Sequence, residues 1–319
     1  MDEYENRGTE VEKKHALSDK TAYGCMVLLM LASEIAALLL IAPSISAGLL
    51  AFDNPESLWN VVIFIFLMLV VTAVLLLLIR KKAQKIISII IALCIGLCIY
   101  YVAFALLFLI PGISSPVVYV ISILFGIAGI VVLWKFPEWY IIDIIGLICA
   151  AGCAVIFGIS LSPLPVLVLL VVLIVYDYVS VNHTKHMLKL ADGVMQQKMP
   201  IMFLIPKTKG YSYRKSGFDI SARKEERSAY MIGLGDMIMP GILVVSAQVF
   251  APGVGIFGVS LPAFGALAGS LVGVILLAIP MKSGKPQPGL PLINGCAIIG
   301  FLLCCAVSGN WDWLFVSFW

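Results

Sequence analysis

Residues 163–182 read PLPVLVLLVVLIVYDYVSVN, and residues 229–250 read AYMIGLGDMIMPGILVVSAQVF. Each is an almost unbroken apolar run of the ~20 residues that a helix needs to cross about 30 Å of bilayer hydrocarbon. Each also carries one acid, Asp177 in the first and Asp236 in the second. A charged side chain near the bilayer centre costs roughly 2.5–3.5 kcal/mol on insertion scales, so an acid kept there is by default a functional group. Gly233 and Gly235 flank Leu234 directly before Asp236. Their missing side chains would let a second backbone, from a neighbouring helix or a substrate, come close to the acid.

Runs of this kind recur along the whole chain. Of 319 residues, 61% are hydrophobic and 12% charged, with a mean hydropathy of +1.07. A soluble domain carries about 25% charged residues, so a soluble enzyme is excluded and nucleic acid is not an expected partner. Apolar runs punctuated by charge, Pro or Gly predict nine spans, at 22–50, 58–79, 86–110, 116–134, 139–161, 163–182, 229–250, 256–280 and 288–307. The expected fold is an all-α polytopic membrane protein, a single transmembrane domain over 1–319. A polar cytoplasmic arm (1–21) leads into spans one to six (22–182). It lacks a signal-peptide pattern, so the first span is expected to be an anchor. A cytoplasmic loop (183–228) holds short apolar pieces at 187–191 and 202–205, expected to lie in the interface. Spans seven to nine (229–307) end in an external aromatic tail (308–319).

The charges give the orientation. Of the 21 Lys and Arg residues, four lie in the arm, four at Arg80, Lys81, Lys82 and Lys85, one at Lys135, ten in the long loop, and two at Lys282 and Lys285. The loops between carry none. Alternation on one side only predicts an odd number of spans, with the N-terminus cytoplasmic and the C-terminus outside.

Several features have structural explanations. Seven of the eight cysteines sit inside apolar runs, where small packing residues are expected rather than a disulfide framework or a metal site. His15, His183 and His186 fall in polar segments, and the His183/His186 spacing is a weak metal signal. Asn182-His183-Thr184 matches a glycosylation acceptor but lies on the cytoplasmic side. Trp311, Trp313 and Trp319 suit an interfacial anchor. Glu34, in the first span, could snorkel, bond another helix or line a wet cavity, and its sequence context leaves all three open.

Asp177 and Asp236 do not share that ambiguity, because antiparallel spans bring them to one depth. Asp177 precedes the cytoplasmic Lys185 by eight residues, ~12 Å of helix, and Asp236 follows Arg227 by nine, ~13–14 Å. Two carboxyl groups facing each other at close range cannot comfortably both ionise and tend to share a proton. One can then act as a base toward water while the other donates to a carbonyl oxygen, which is peptide hydrolysis without metal, cofactor or covalent intermediate. A third element points to the same depth: Pro286-Gln287-Pro288-Gly289-Leu290-Pro291 opens the ninth span. Such a run keeps the backbone irregular, which membrane depth tolerates only when it is buried in protein or lines a cavity. Its free N–H and C=O groups would suit a substrate held as an extended strand.

Other chemistries remain open at this point. Paired intramembrane acids and broken helices also mark ion- or proton-coupled transporters, although no internal repeat is evident. The acids could also be satisfied by neighbouring helices alone. A prepilin-type peptidase shares Gly-x-Gly-Asp but lacks the other motifs. No His-Glu-x-x-His sequence supplies a zinc site, and no histidine lies in a span to activate a serine.

Taken together, Tyr176-Asp177, Gly233-Leu234-Gly235-Asp236 and Pro288-Gly289-Leu290 resemble the presenilin and signal peptide peptidase family of intramembrane aspartyl proteases, and more closely its archaeal members. The family pattern is Tyr-Asp, Gly-x-Gly-Asp and Pro-Ala-Leu on the sixth, seventh and ninth spans. The resemblance implies that Asp177 and Asp236 are the catalytic pair, with Tyr176, Gly233, Leu234, Gly235, Pro288, Gly289 and Leu290 shaping the substrate cleft. It also implies transmembrane-helix substrates and the plasma membrane of an archaeon. Homo-oligomers are compatible with it, and no obligatory partner subunits or cofactor are expected. Gly289 departs from the pattern's alanine, and the loop between the acids lacks the long segment in which presenilins are cut, so a single uncleaved polypeptide is expected. A cytoplasmic N-terminus resembles presenilin, which implies substrate spans with their N-terminus outside.

Overall fold

The computed structural model describes residues 19–180, 202–206, 229–281 and 289–314. Long apolar stretches form helices because lipid cannot satisfy backbone N–H and C=O groups, so each span must bond itself. In order, α1 is Asp19–Leu39, α2 Ile41–Ser46, α3 Trp59–Arg80, α4 Gln84–Phe108, α5 Ser115–Lys135, α6 Trp139–Ser160 and α7 Pro163–Val179. Strands β1 (Met202–Pro206) and β2 (Ala229–Gly233) then precede α8 (Leu234–Phe250). A small hairpin, β3 (Gly255–Ile256) with β4 (Val259–Ser260), leads to α9 (Leu261–Met281) and α10 (Leu290–Ser308). Proline in the first turn, where its missing N–H costs nothing, starts α5, α7 and α10. Gly309, at φ +66°, ends α10 in the left-handed conformation that glycine adopts freely.

Among the described residues, six helices are long and apolar enough to cross a membrane, and Pro163–Val179, Leu234–Phe250 and Leu261–Leu277 are shorter apolar helices. The outer faces of α3 and α5 are apolar: Phe66 and Leu67 on one, Val120 and Leu124 on the other, are exposed. A soluble protein rarely exposes apolar surface on this scale, whereas a lipid-facing helix requires it. The molecule is an integral membrane protein.

Its core lies where α7, α8, α9 and α10 meet, around Leu169, Leu170, Leu243, Ala266, Ala297 and Phe301. The α9–α10 seam is the closest of these contacts. Gly265, Gly269 and Gly273 recur every four residues along one face of α9, and the α10 backbone rests on them. A Cβ added at Gly269 would meet the Cys296 carbonyl carbon at 2.8 Å and Ala297 Cα at 2.9 Å.

Two expectations are corrected here. Residues 229–233, expected as the start of the seventh span, are strand β2, and the helix begins only at Leu234. Residues 202–205, expected in the interface, belong to β1, with Phe203 and Leu204 fully buried. The two strands pair antiparallel, Met202 opposite Gly233 and Pro206 opposite Ala229. A partner brought from about thirty residues away explains why neither strand announces itself locally. In the tail, Trp313 packs inward at 5% exposure, its ring 5.1 Å from that of Phe301. The segment 187–191, His15, Asn182, His183, His186 and Trp319 lie outside the described residues.

Candidate active site

Both acids stand at helix ends, Asp177 in α7 and Asp236 in α8, two of the shorter apolar helices. Asp177 occupies the last turn of α7, where it is buried at 5% exposure. The Leu290 backbone N–H, at the first turn of α10, donates to its carboxylate. Its Oδ2 is buried without a hydrogen-bond partner. Asp236 sits in the first turn of α8, half-buried and within Coulombic reach of Asp177.

Gly233 is the N-cap of α8, with an extended backbone (φ −62°, ψ 140°), and its N–H donates to the Asp236 carboxylate. This is the backward half of a capping box: a side chain at the third helical position satisfies the N-cap donor. Gly-x-Gly-Asp therefore has a local structural logic, in which strand β2 turns into α8 at Gly233 and the turn itself holds the acid.

Gly289 supplies the third side. It is buried, with φ −78° and ψ −42°, a conformation open to any residue, so its conformational freedom is not what the position uses. Space is. A Cβ there would stand 2.7 Å from Asp236 Oδ2 and 3.1 Å from its Cγ. The α10 backbone thus lies directly against the Asp236 carboxylate, and Leu290, one residue on, holds Asp177. Three distant segments converge on the two acids.

The remaining predicted residues divide. Tyr176 is half-buried beside Asp177. Gly235 is exposed, and a Cβ on it would meet nothing within 4 Å, so its open side faces no neighbouring helix. Leu234 packs against Gly146 of α6 and among Cys149, Leu204 and Ala229, a structural setting rather than one beside the acids. Pro288 lies outside the described residues. Among the described residues, no group of three His, Cys, Asp or Glu side chains is placed to hold a metal ion.

Two other acids are buried. Glu34 is 0% exposed, so it does not snorkel, and neither of its oxygens makes a hydrogen bond of ordinary geometry. The Ser270 hydroxyl beside it is committed to the Leu267 carbonyl at 2.7 Å. Asp143, on α6, was passed over in the sequence, and its Oδ1 accepts the Leu204 N–H of β1 at 2.7 Å. The signal that singled out Asp177, one acid within an apolar run, applies equally to Asp143.

Comparison with known proteins places the fold in a family. The model of the signal-peptide peptidase and presenilin aspartyl protease family matches residues 26–310. A solved presenilin-family intramembrane aspartate protease, in the C222 space group, is 36% identical with a TM-score of 0.66. That similarity covers 90% of this chain and 99% of the other. A second such structure, in space group P2, is 39% identical over 89% of this chain and 97% of the other, with a TM-score of 0.65. No curated protein matches the chain. A family match over most of the length, with solved relatives 36% and 39% identical on the same helical frame, identifies the chain as a member of the signal-peptide peptidase and presenilin family of intramembrane aspartyl proteases.

Proposed function

We propose that Asp177 and Asp236 are the pair with which this protease hydrolyses peptide bonds inside transmembrane segments. The observation that carries this is the convergence of α7, the β2–α8 junction and the start of α10 on two carboxyl groups, held by the Leu290 and Gly233 N–H groups. One ionised carboxylate takes a proton from water as the water oxygen attacks the substrate carbonyl carbon, and the protonated partner donates to the carbonyl oxygen. The resulting diol collapses as the C–N bond breaks and the leaving nitrogen takes a proton from the pair. A helical substrate hides its peptide bonds, so it must unwind locally. Gly235, exposed and with nothing within 4 Å of a Cβ placed on it, leaves room for an extended strand beside the acids.

The nine-span topology with a cytoplasmic N-terminus is part of the proposal, supported by the one-sided distribution of Lys and Arg. Working as a single uncleaved chain without partner subunits, alone or as a homo-oligomer, is part of it too. Purified protein in liposomes, given a single-span substrate in each orientation, tests the reading. Cleavage is expected, preferentially of spans with the N-terminus outside, and none by Asp177→Asn. No cleavage by the parent, or equal cleavage by the variant, overturns it. Proton-dependent solute uptake that Asp177→Asn abolishes would favour a transporter instead.

Gly289→Ala examines the close approach. The added methyl displaces the Asp236 carboxylate from the Gly233 N–H without disturbing the helix. Thermal unfolding is expected to match the parent while kcat falls about tenfold, the equivalent of ~1.4 kcal/mol in the barrier. An unchanged or raised kcat would show that the carboxylate has no need of this space.

A further inference from the structure

Beyond the two acids, the hairpin that delivers Asp236 is itself held by an acid. In an antiparallel pair each residue directs both its N–H and C=O either toward its partner strand or away from it. Leu204 donates its N–H to Asp143, so the Leu204–Met231 pair is a non-bonded one and the bonded pairs are Phe203–Ile232 and Ile205–Tyr230. Along the outer edge of β1, the Leu204 N–H is therefore capped by Asp143, and Pro206 has none to offer. At these two positions the edge offers no free N–H, a device that blunts strand edges generally.

The same alternation turns the N–H groups of Ala229, Met231 and Gly233 toward the outer edge of β2. The Gly233 N–H does point away from β1, since it reaches the Asp236 carboxylate. One turn beyond Asp143, a Cβ on Gly146 would lie 3.3 Å from both Phe203 and Leu234, so α6 meets the hairpin and the start of α8 through that single face. A continuous set of contacts runs from Asp143 through β1 and β2 to Asp236.

We infer that Asp143 is a positioning residue of the active site: by accepting the Leu204 N–H it caps β1 at that position and fixes the register in which β2 presents Gly233 to Asp236. This rests on the proposed role of Asp236 in cleavage. By fixing that register, Asp143 also sets where along an extended substrate the acids act.

The experiment compares parent, Asp143→Asn, Asp143→Ala and Asp236→Asn on one single-span substrate. It reads kcat, KM and the bond cut by mass spectrometry. Asn keeps an acceptor for Leu204 and is expected to cut the parent's bond with a loss of about threefold or less. Ala removes the acceptor, and a misplacement of ~1 Å at a catalytic group costs on the order of 10²-fold. Its kcat is therefore expected to fall by about that factor, with cuts spread to neighbouring bonds. A purely structural role would lower the unfolding temperature and leave the cut bond and kcat of the folded fraction alone.

Should Asp143→Ala not fold, Asp143→Glu carries the test, because its acceptor sits one methylene farther out and shifts the hairpin without releasing it. Unchanged kcat, KM and cut bond in whichever variant folds overturns the inference about Asp143. Failure of the parent to cleave, or cleavage by Asp236→Asn, strikes the proposed function instead.

Discussion

Asp236→Asn is expected to abolish measurable cleavage while leaving the protein as stable as the parent. The substitution keeps the side chain's volume and an oxygen that can still accept the Gly233 N–H, so the cap on α8 survives. What it removes is the exchangeable proton. Acid–base catalysis is worth roughly 10²–10⁴-fold, and loss of either member removes both halves of the proton traffic, so a fall near the upper end is expected. Asp236→Ala should lose the same activity and, in addition, about 1 kcal/mol of stability with the cap. In the parent, one carboxyl must be ionised and the other protonated, so kcat/KM should pass through a maximum with pH. It falls on the acid side as the base is protonated and on the alkaline side as the acid ionises. Any residual rate in Asp236→Asn should lack that shape. Turnover of a purified substrate across pH, beside thermal unfolding in the same detergent, measures both, and an Asn variant with parental turnover ends the assignment.

Gly269→Leu is expected to prevent recovery of folded protein. The hydrophobic effect does not drive helices together in lipid, so close packing carries that load, and small residues permit it. Gly269 is buried where the α10 backbone crosses, and even one added carbon would stand 2.8 Å from the Cys296 carbonyl carbon. These neighbours are backbone atoms, which cannot rotate aside. Gly269→Ala is expected to cost about 1–3 kcal/mol, the usual range for overpacking, and leucine more. Gly24→Leu is the control, since that glycine is exposed and a Cβ there meets nothing within 4 Å. Monodispersity and thermal unfolding distinguish the two sites. A Gly269→Leu protein that unfolds at the parental temperature would show that α9 and α10 can separate freely.

The helical frame was legible because its signal is local. A run such as 59–80 announces a span by length and hydropathy alone, and no distant partner is needed to see it. Asp177 and Asp236 stand out in the sequence for a related reason: each is a single acid within an apolar run. The β1–β2 hairpin was not, since five-residue strands with a remote partner carry no period that separates them from a helix end. Gly289 illustrates a different limit. Its departure from alanine stood out in the sequence, but the reason for a small residue depends on where Asp236 Oδ2 lies. Asp143 carries the same signal as Asp177, but its role is not legible in the sequence, because its partner is a backbone N–H sixty-one residues away, which no motif records. Trp313 belongs with these, its inward packing decided by the position of Phe301.

The glycine seam has a mechanical consequence. Helices pressed backbone to backbone cannot bend independently, so α9 and α10 tilt as one beam, and Leu290 sits at its tip against Asp177. A helix of nineteen residues is about 28 Å long. Rocking it by ~5° sweeps its tip through more than ~2 Å, enough to break a hydrogen bond. Bilayers of different thickness change helix tilt at modest cost. The hydrogen bond between Leu290 and Asp177 is therefore tied to the tilt of the α9–α10 pair as a whole.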